Sequence, residues 1–263
     1  MHRLHYDIAD STKPLYNSII EELEGRLSRP VNVLDLGSSY GINSALIKHN
    51  LTMSELNNFF LNETEPTKKE TKQFYEKCTS NDNMNFYQID ISDEALKFSE
   101  EMNLCEKAIN VDLETQKLDL PESVSNVDLI IATGCIGYIG YKAFLNIFEG
   151  IKNSQSNSTK SEIEHTAPIF AFTVLRMFDM GDIQEIFKRY DYSLVKIDQE
   201  PISQRDFSTP EEKMKTCSLL HGMGIDTKNM KIMVSSMLIT ISQNPKSSYN
   251  KNKILKISEK NII

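Results

Sequence analysis

Apolar residues recur at helical spacing through SIIEELEGRL, and this periodicity predicts a helix within the first thirty residues, closed by Pro30. VNVLDLG follows as a short, β-branched apolar run ending in glycine, which predicts a buried strand, and GINSALIKH returns to a helical pattern. Strand, glycine turn and helix open a parallel α/β unit. Between residues 51 and 83 the alternation is interrupted by two helical stretches, LTMSELNNFFL and KKETKQFYEKC, on either side of NETEPT. Neither has a core of its own, so they read as an inserted helical pair. NFYQIDI then predicts a strand and DEALKFSEEMNL a helix with Ser92 at its N-cap. KAINVDL and VDLIIAT are strands, the second continuous enough for a central parallel strand covered on both faces. YKAFLNIFEGI is an amphipathic helix followed by the polar loop NSQSNSTKSE; PIFAFTVL is a strand and GDIQEIFKRY a helix. YSLVKID and MKIMVSSMLITIS end the pattern without a clear crossover helix, which predicts an antiparallel pair at one sheet edge. The connection between them, 204–226, reads as a second insertion.

The fold class expected is therefore α/β: a mostly parallel, Rossmann-like sheet with helices on both faces, plus helical insertions. A single domain is expected over 1–243, followed by a mobile, weakly basic tail at 244–263. At 263 residues, 40% hydrophobic and 25% charged, the chain can bury a two-sided core unaided. A formal charge of −8 argues against a broad nucleic-acid footprint. MHRLHYDIADSTKPLY has no apolar signal core and no stretch reaches eighteen apolar residues, so neither export nor membrane spanning is expected. Cys78, Cys105, Cys135 and Cys217 stand singly, as reduced thiols of a cytoplasmic protein do, and the five histidines lie near no cysteine pair that would make a metal site.

VLDLGSSYG, Val33 to Gly41, is the stretch that carries chemistry. The strand must turn sharply into the helix with its backbone near a ligand, which Gly37 and Gly41 permit because they lack a Cβ. The helix that follows points free N–H groups at an anionic group above the strand ends. Asp35 adds a carboxylate suited to an ammonium. A ligand with both charges is an amino acid, and S-adenosylmethionine carries one. A dinucleotide G-x-G-x-x-G fails at Ser39 and Ile42, and a phosphate loop lacks its G-K-[ST] ending. The same residues would also serve a plain tight turn. Asp90 ends the second strand, where a carboxylate can accept ribose hydroxyls, and Asp112 ends the third beside Leu113, within reach of an adenine amino group. Either would also suit a helix cap or turn. After the fourth strand, Gly134, Gly137 and Gly140 of TGCIGYIG leave room above the sheet.

In this order, VLDLGSSYG, IDIS-DEAL, NVDLE and VDLIIATG resemble the motifs of class I S-adenosylmethionine-dependent methyltransferases, over roughly Val31 to Phe172. The resemblance implies a seven-stranded sheet with an antiparallel edge strand, and S-adenosylmethionine as cofactor. It implies that Asp35, Gly37, Ser38, Ser39 and Gly41 face the methionine part, and that Asp90 with Ile91 faces the ribose. Asp112 and Leu113 would flank the adenine, and Thr133, Gly134 and Cys135 would line the point of methyl transfer. Two departures stand out. Ser39 replaces the family's middle glycine, and the 51–83 insertion places Asp90 unusually far from Asp35 in sequence.

Methyl transfer needs alignment of nucleophile, methyl and sulfur more than a dedicated acid or base, and no catalytic dyad is visible. An N/D-P-P-Y signature is absent after the fourth strand, which lowers a DNA-base substrate. A small-molecule acceptor is expected, in contact with some of Tyr6, Tyr16, Tyr138, Arg176, Arg205 and His221. Arg176 follows a strand end and would pair a substrate carboxylate, unless Asp179 or Asp182 takes it. For Arg205 the alternative is a solvated loop arginine, and for His221 a packed or surface histidine. Cys135 has no Lys, Arg or His beside it to activate a thiolate. The other readings are a protein or RNA methyltransferase docking on the helical pair and basic tail, or a non-catalytic cofactor-binding subunit; a homodimer is compatible with each. The two insertions are expected to roof the site together, with Phe59, Phe60 and Tyr75 in the first, unless the helical pair only pads the side of the domain or forms a dimer surface.

Overall fold

A computed structural model of the chain describes residues 6–61, 64–121, 124, 126–137, 139–157, 167–197, 202–228, 230 and 232–242, with the backbone alone at 155–157, 232–236 and 241. Tyr138 and the tail 244–263 lie outside the described residues. Among the described residues, no helix is long and apolar enough to cross a membrane.

Strands β1 (Val31–Leu36), β2 (Met84–Asp90), β3 (Lys107–Asn110), β4 (Leu129–Ala132) and β5 (Ile169–Leu175) run parallel in the order β3-β2-β1-β4-β5. Every residue of β1 and β4 is buried, as strands covered on both faces are, with Asn32 and Asp35 the polar residues of β1. Helix α1 (Ile8–Glu24) packs its apolar stripe, including Ile8, Tyr16, Ile19 and Leu23, on one face. Helices α6 (Tyr141–Asn157) and α7 (Gly181–Arg189) cover the other face through Phe144, Phe148 and Phe187. The Rossmann-like architecture expected from the sequence is thus observed.

The far side of the sheet carries the expected antiparallel pairing. Strand β8 (Ile232–Ser242) lies antiparallel between β5 and β6 (Tyr192–Lys196), so the reversed strand sits one place in from the edge. One further strand appears where the sequence suggested only an insertion. This is β7 (Ile202–Asp206), which follows β6 along the same edge of β8 and is joined to it by helix α8 (Pro210–Gly222). Ser235 is opposite both Leu175 of β5 and Ile202 of β7, whereas residues 232–234 are paired with β7 alone. At the ordinary strand rise this β7–β8 ribbon overhangs the carboxyl end of β5 by about 10 Å.

The first insertion forms α3 (Met53–Phe60) and α4 (Lys68–Glu76). Each opens on a capping box, Thr52 with Glu55 and Thr67 with Glu70, which satisfies orphan N–H groups of the first turn. Leu51, Met53, Leu56 and Tyr75 pack with Ala45 and Leu46 of α2 (Ile42–Lys48), with Met102 and Leu104 after α5 (Asp93–Glu101), and with Ala9 of α1. Phe59 stacks on Phe74 at 4.1 Å, and Phe60 meets Phe98 of α5. All three aromatic residues expected over the site therefore belong to this flank cluster or to its rim. The roof expected of the first insertion is not formed, because its apolar side chains are consumed against α2 and α5.

Candidate cofactor and acceptor site

The sheet reverses its strand order at β1, which has β2 on one side and β4 on the other; ligands of open α/β sheets bind at the carboxyl ends of such strands. Asp35 lies in β1 with none of its surface exposed. Its Oδ1 accepts a hydrogen bond from Asn43 Nδ2 at 2.9 Å, because α2 folds back over the strand that precedes it. Among the described residues its Oδ2 has no partner. Burial pushes the carboxyl up to about 7; the Asn43 bond opposes this and the charge of Asp90 adds to it.

The turn after β1 needs left-handed backbone at three places, with φ of +63° at Gly37, +50° at Ser39 and +73° at Gly41. Ser39 thus occupies a position that does favour glycine, at a cost of roughly 1–2 kcal/mol. Asp90 at the end of β2 braces it: one carboxylate oxygen accepts the Ser39 N–H at 2.8 Å and the other the Ser92 N–H at 2.8 Å. The space beside Gly37 and Gly41 is taken by the protein itself. A Cβ on Gly37 would lie 2.9 Å from Cys135 Cβ, and one on Gly41 would lie 2.5 Å from Ser99 Oγ. Their lack of a side chain serves packing of the turn. Ser38 is buried with its hydroxyl unpartnered.

Asp112 shows the turn geometry that was the alternative to an adenine contact. Its carboxylate accepts from the Glu114 N–H at 3.0 Å and the Thr115 hydroxyl at 2.7 Å, and these bonds hold it below the ordinary carboxylate range. Leu113 beside it is buried in the sheet core. Glu114 reaches across to accept the Gly140 N–H at 2.6 Å, tying this turn to the loop after β4.

At the end of β4, the Thr133 hydroxyl pairs with the buried Tyr16 hydroxyl at 2.9 Å, and burial raises Tyr16 above its ordinary value. The Gly134 N–H donates to Thr173 Oγ1 at 2.8 Å. The Tyr6 hydroxyl lies 2.5 Å from where a Gly134 Cβ would be, with Gln204 Nε2 at 3.6 Å from the same point. Asp7 N–H donates to the Gln204 carbonyl at 3.3 Å, so the start of the chain and β7 meet over the end of β4. The Cys135 thiol donates to the Leu36 carbonyl at 3.2 Å and is pushed up to about 12 by burial and the Asp35 charge.

Glu212 takes the Arg205 guanidinium in two bonds of 2.6 and 3.0 Å, and Arg205 with Ser208 holds Glu212 down to about 2. His221 is exposed on α8. Arg176, just past β5, is half-buried and makes no hydrogen bond or ion pair among the described residues. Asp179, one carboxylate expected to take it, instead accepts the Gly181 N–H. Sequence reasoning passed over Asn43, Thr173, Glu114 and Gln204. It also passed over exposed apolar side chains along this edge: Tyr40 after β1, Tyr141 opening α6 and Phe178 after β5, which with Ile91 after β2 form a broken rim. Among the described residues no three His, Cys, Asp or Glu side chains are grouped to hold a metal.

No protein-family profile matches the chain, and no curated protein matches it. Among solved structures, the chain is similar to a TehB-like SAM-dependent methyltransferase from Corynebacterium glutamicum, at 11% identity over 86% of this chain and 88% of that one, with a TM-score of 0.42. It is also similar to magnesium protoporphyrin IX methyltransferase from Synechocystis, crystallised with bound SAM (9% identity, 87% and 80% covered, TM-score 0.41). A third is the plantazolicin methyltransferase BamL, in complex with a triazolic desmethylPZN analog and SAH (13% identity, 90% and 86% covered, TM-score 0.46). These likenesses concern the course of the chain, and no residue role is taken from them.

Proposed function

We propose that this chain binds S-adenosylmethionine across the carboxyl ends of β1, β2 and β4 and transfers its methyl group to a small molecule. The observation that carries the reading is Asp35, a fully buried carboxylate with one oxygen left bare. An unpartnered buried carboxylate is costly, and an ammonium group placed beside it supplies the missing donor. Asp90 fits the ribose role as well as its bracing role, because each carboxylate oxygen uses one acceptor site on backbone and retains another for a hydroxyl. Ile91 and Tyr40 offer exposed apolar surface to a flat base. Asp112 and Leu113 sit further along, with the carboxylate already engaged in its own turn.

When bound, the cofactor supplies an already activated methyl group, so the protein's task is alignment and exclusion of water. Thr133 to Cys135 stand where the acceptor would meet it, with Thr133 held by Tyr16 and Gly134 held by Thr173. The Cys135 thiol stays protonated at neutral pH and is not the attacking group. A small acceptor is favoured by the cover over this point, where Tyr6, Asp7 and Gln204 close above Gly134 beneath the β7–β8 overhang. Calorimetric titration with S-adenosylhomocysteine tests the first half of the proposal, and absence of binding would end it. Methyl-labelled cofactor supplied with a fractionated cell extract tests the second. Label should appear in the small-molecule fraction; label in protein or RNA would replace that half with the macromolecular reading.

A further inference from the structure

The two sides of the carboxyl edge differ in charge. Asp35, Asp90, Asp112 and Glu114 stand at the ends of β1, β2 and β3, on the side assigned above to a cofactor that carries a sulfonium and an ammonium. Arg176 stands on the other side, at the end of β5. The Phe178 N–H donates to the Leu175 carbonyl at 2.9 Å, so Arg176 is carried in a tight turn. Phe178 in the same turn packs its ring against Gly137 of the loop after β4. On the remaining side is the base of the β7–β8 overhang, since Leu175 is paired with Ser235. The turn is therefore flanked by the segment where the acceptor would sit and by the ribbon that covers it.

A half-buried guanidinium keeps five N–H donors to satisfy, and Arg176 makes no hydrogen bond or ion pair among the described residues. Asp179, just ahead of α7, accepts the Gly181 N–H, and Glu212 is locked to Arg205. The polar groups at the neighbouring strand end, the Tyr6 and Thr133 hydroxyls and the Gln204 amide, are uncharged. A single guanidinium matches a single negative charge with two oxygens, a carboxylate, better than a doubly charged phosphate, which draws several cations. We propose that the methyl acceptor carries a carboxylate and that Arg176 holds it at the carboxyl end of β5. This inference rests on the proposed function, because it names the chemical class of the acceptor in that reaction.

The test uses the full chain saturated with S-adenosylhomocysteine, and reads the arginine side-chain Nε–Hε signals by NMR during titration with benzoate, with benzamide as its uncharged counterpart, and with inorganic phosphate. The Arg176 signal should move saturably with benzoate and not with benzamide, the Arg205 signal should stay in place, and Arg176→Gln should weaken benzoate binding at least tenfold. An equal response to benzamide, no saturable response to benzoate, a preference for phosphate, or full binding in Arg176→Gln would each overturn the inference. Titrating S-adenosylhomocysteine into the same proteins keeps the two readings apart. If it does not bind the wild type, the proposed function fails, and the benzoate response of the cofactor-free chain still decides whether Arg176 is an anion site.

Discussion

Asp35→Asn isolates the cost of the buried carboxylate. In the unfolded chain this carboxyl ionises near 3.8, and in the folded chain burial pushes it up to about 7. The native state therefore keeps a proton that the unfolded state has lost throughout the window between those values, and stability declines as pH rises through it. The displacement is about three pH units, worth on the order of 4 kcal/mol at about 1.4 kcal/mol per unit. Above pH 7 both states are ionised, and the penalty is constant. The amide introduced by the substitution has nothing to ionise, so the stability difference, variant minus wild type, should be flat below pH 4, rise by on the order of 4 kcal/mol up to pH 7, and then level off. Urea denaturation at half-unit steps from pH 4 to 8 measures it. Parallel profiles for the two proteins would refute the assignment of a buried, proton-holding carboxyl at this position.

The same group links protonation to the ligand. If an ammonium takes up the bare Oδ2, binding favours the ionised form, and below pH 7 a proton must leave as the ligand arrives. Titration of S-adenosylhomocysteine at pH 6 in two buffers of different ionisation enthalpy should show release of close to one proton, given a group that titrates at about 7. Affinity should rise as pH approaches 7 and flatten beyond it. Asp35→Asn should lose both the proton release and most of the affinity; a variant that binds as tightly as the wild type would remove Asp35 from the site.

Asp90→Ala should weaken S-adenosylhomocysteine by roughly 1.5–3 kcal/mol for each hydroxyl bond lost, with Asp90→Asn milder because it keeps one acceptor oxygen, as calorimetry will register. Gly134→Ala should destabilise the wild type strongly in thermal melts, since its Cβ would lie 2.5 Å from the Tyr6 hydroxyl at a φ of +71°, and should cost distinctly less in a Tyr6→Phe background that lacks that oxygen; equal costs would mean Tyr6 is not against the glycine. His49 is buried against Tyr75 with neither ring nitrogen partnered, and burial and the Lys48 charge hold it below its ordinary 6.5, so protons favour the unfolded chain and stability falls as pH drops below 6.5. His49→Leu should remove that part of the acid loss and raise stability by about 1 kcal/mol at pH 7.5 by deleting the unsatisfied groups, as urea titrations at pH 5.5 and 7.5 will show.

What was legible in the chain follows from how local each cause is. The runs of β1, β4 and β5 could be read because burial on both faces leaves them mostly apolar. ISQRD of β7 could not, because its strand character comes from pairing with β8, about thirty residues away, and its side chains are mostly polar. The helices of the first insertion were legible from their spacing, but the face they bury depends on α2 and α5, which no window within the insertion contains. Asp35, Gly37 and Asp90 were readable as a pattern; Asn43, Thr173 and Gln204 acquire their roles only when the sheet brings separate segments together. Arg176 and Arg205 look alike in sequence, each a few residues ahead of carboxylates. Their difference lies in geometry: the strand-to-helix junction returns Glu212 onto Arg205, while Asp179 turns toward the start of α7 and Arg176 has no partner among the described residues. Ser39 makes the converse point. It reads as a departure from the motif, yet the backbone there still adopts a φ of +50° and the Asp90 carboxylate holds its N–H in place. A serine held at that angle carries the strain a glycine would avoid, and the two backbone N–H bonds of the Asp90 carboxylate hold the turn there.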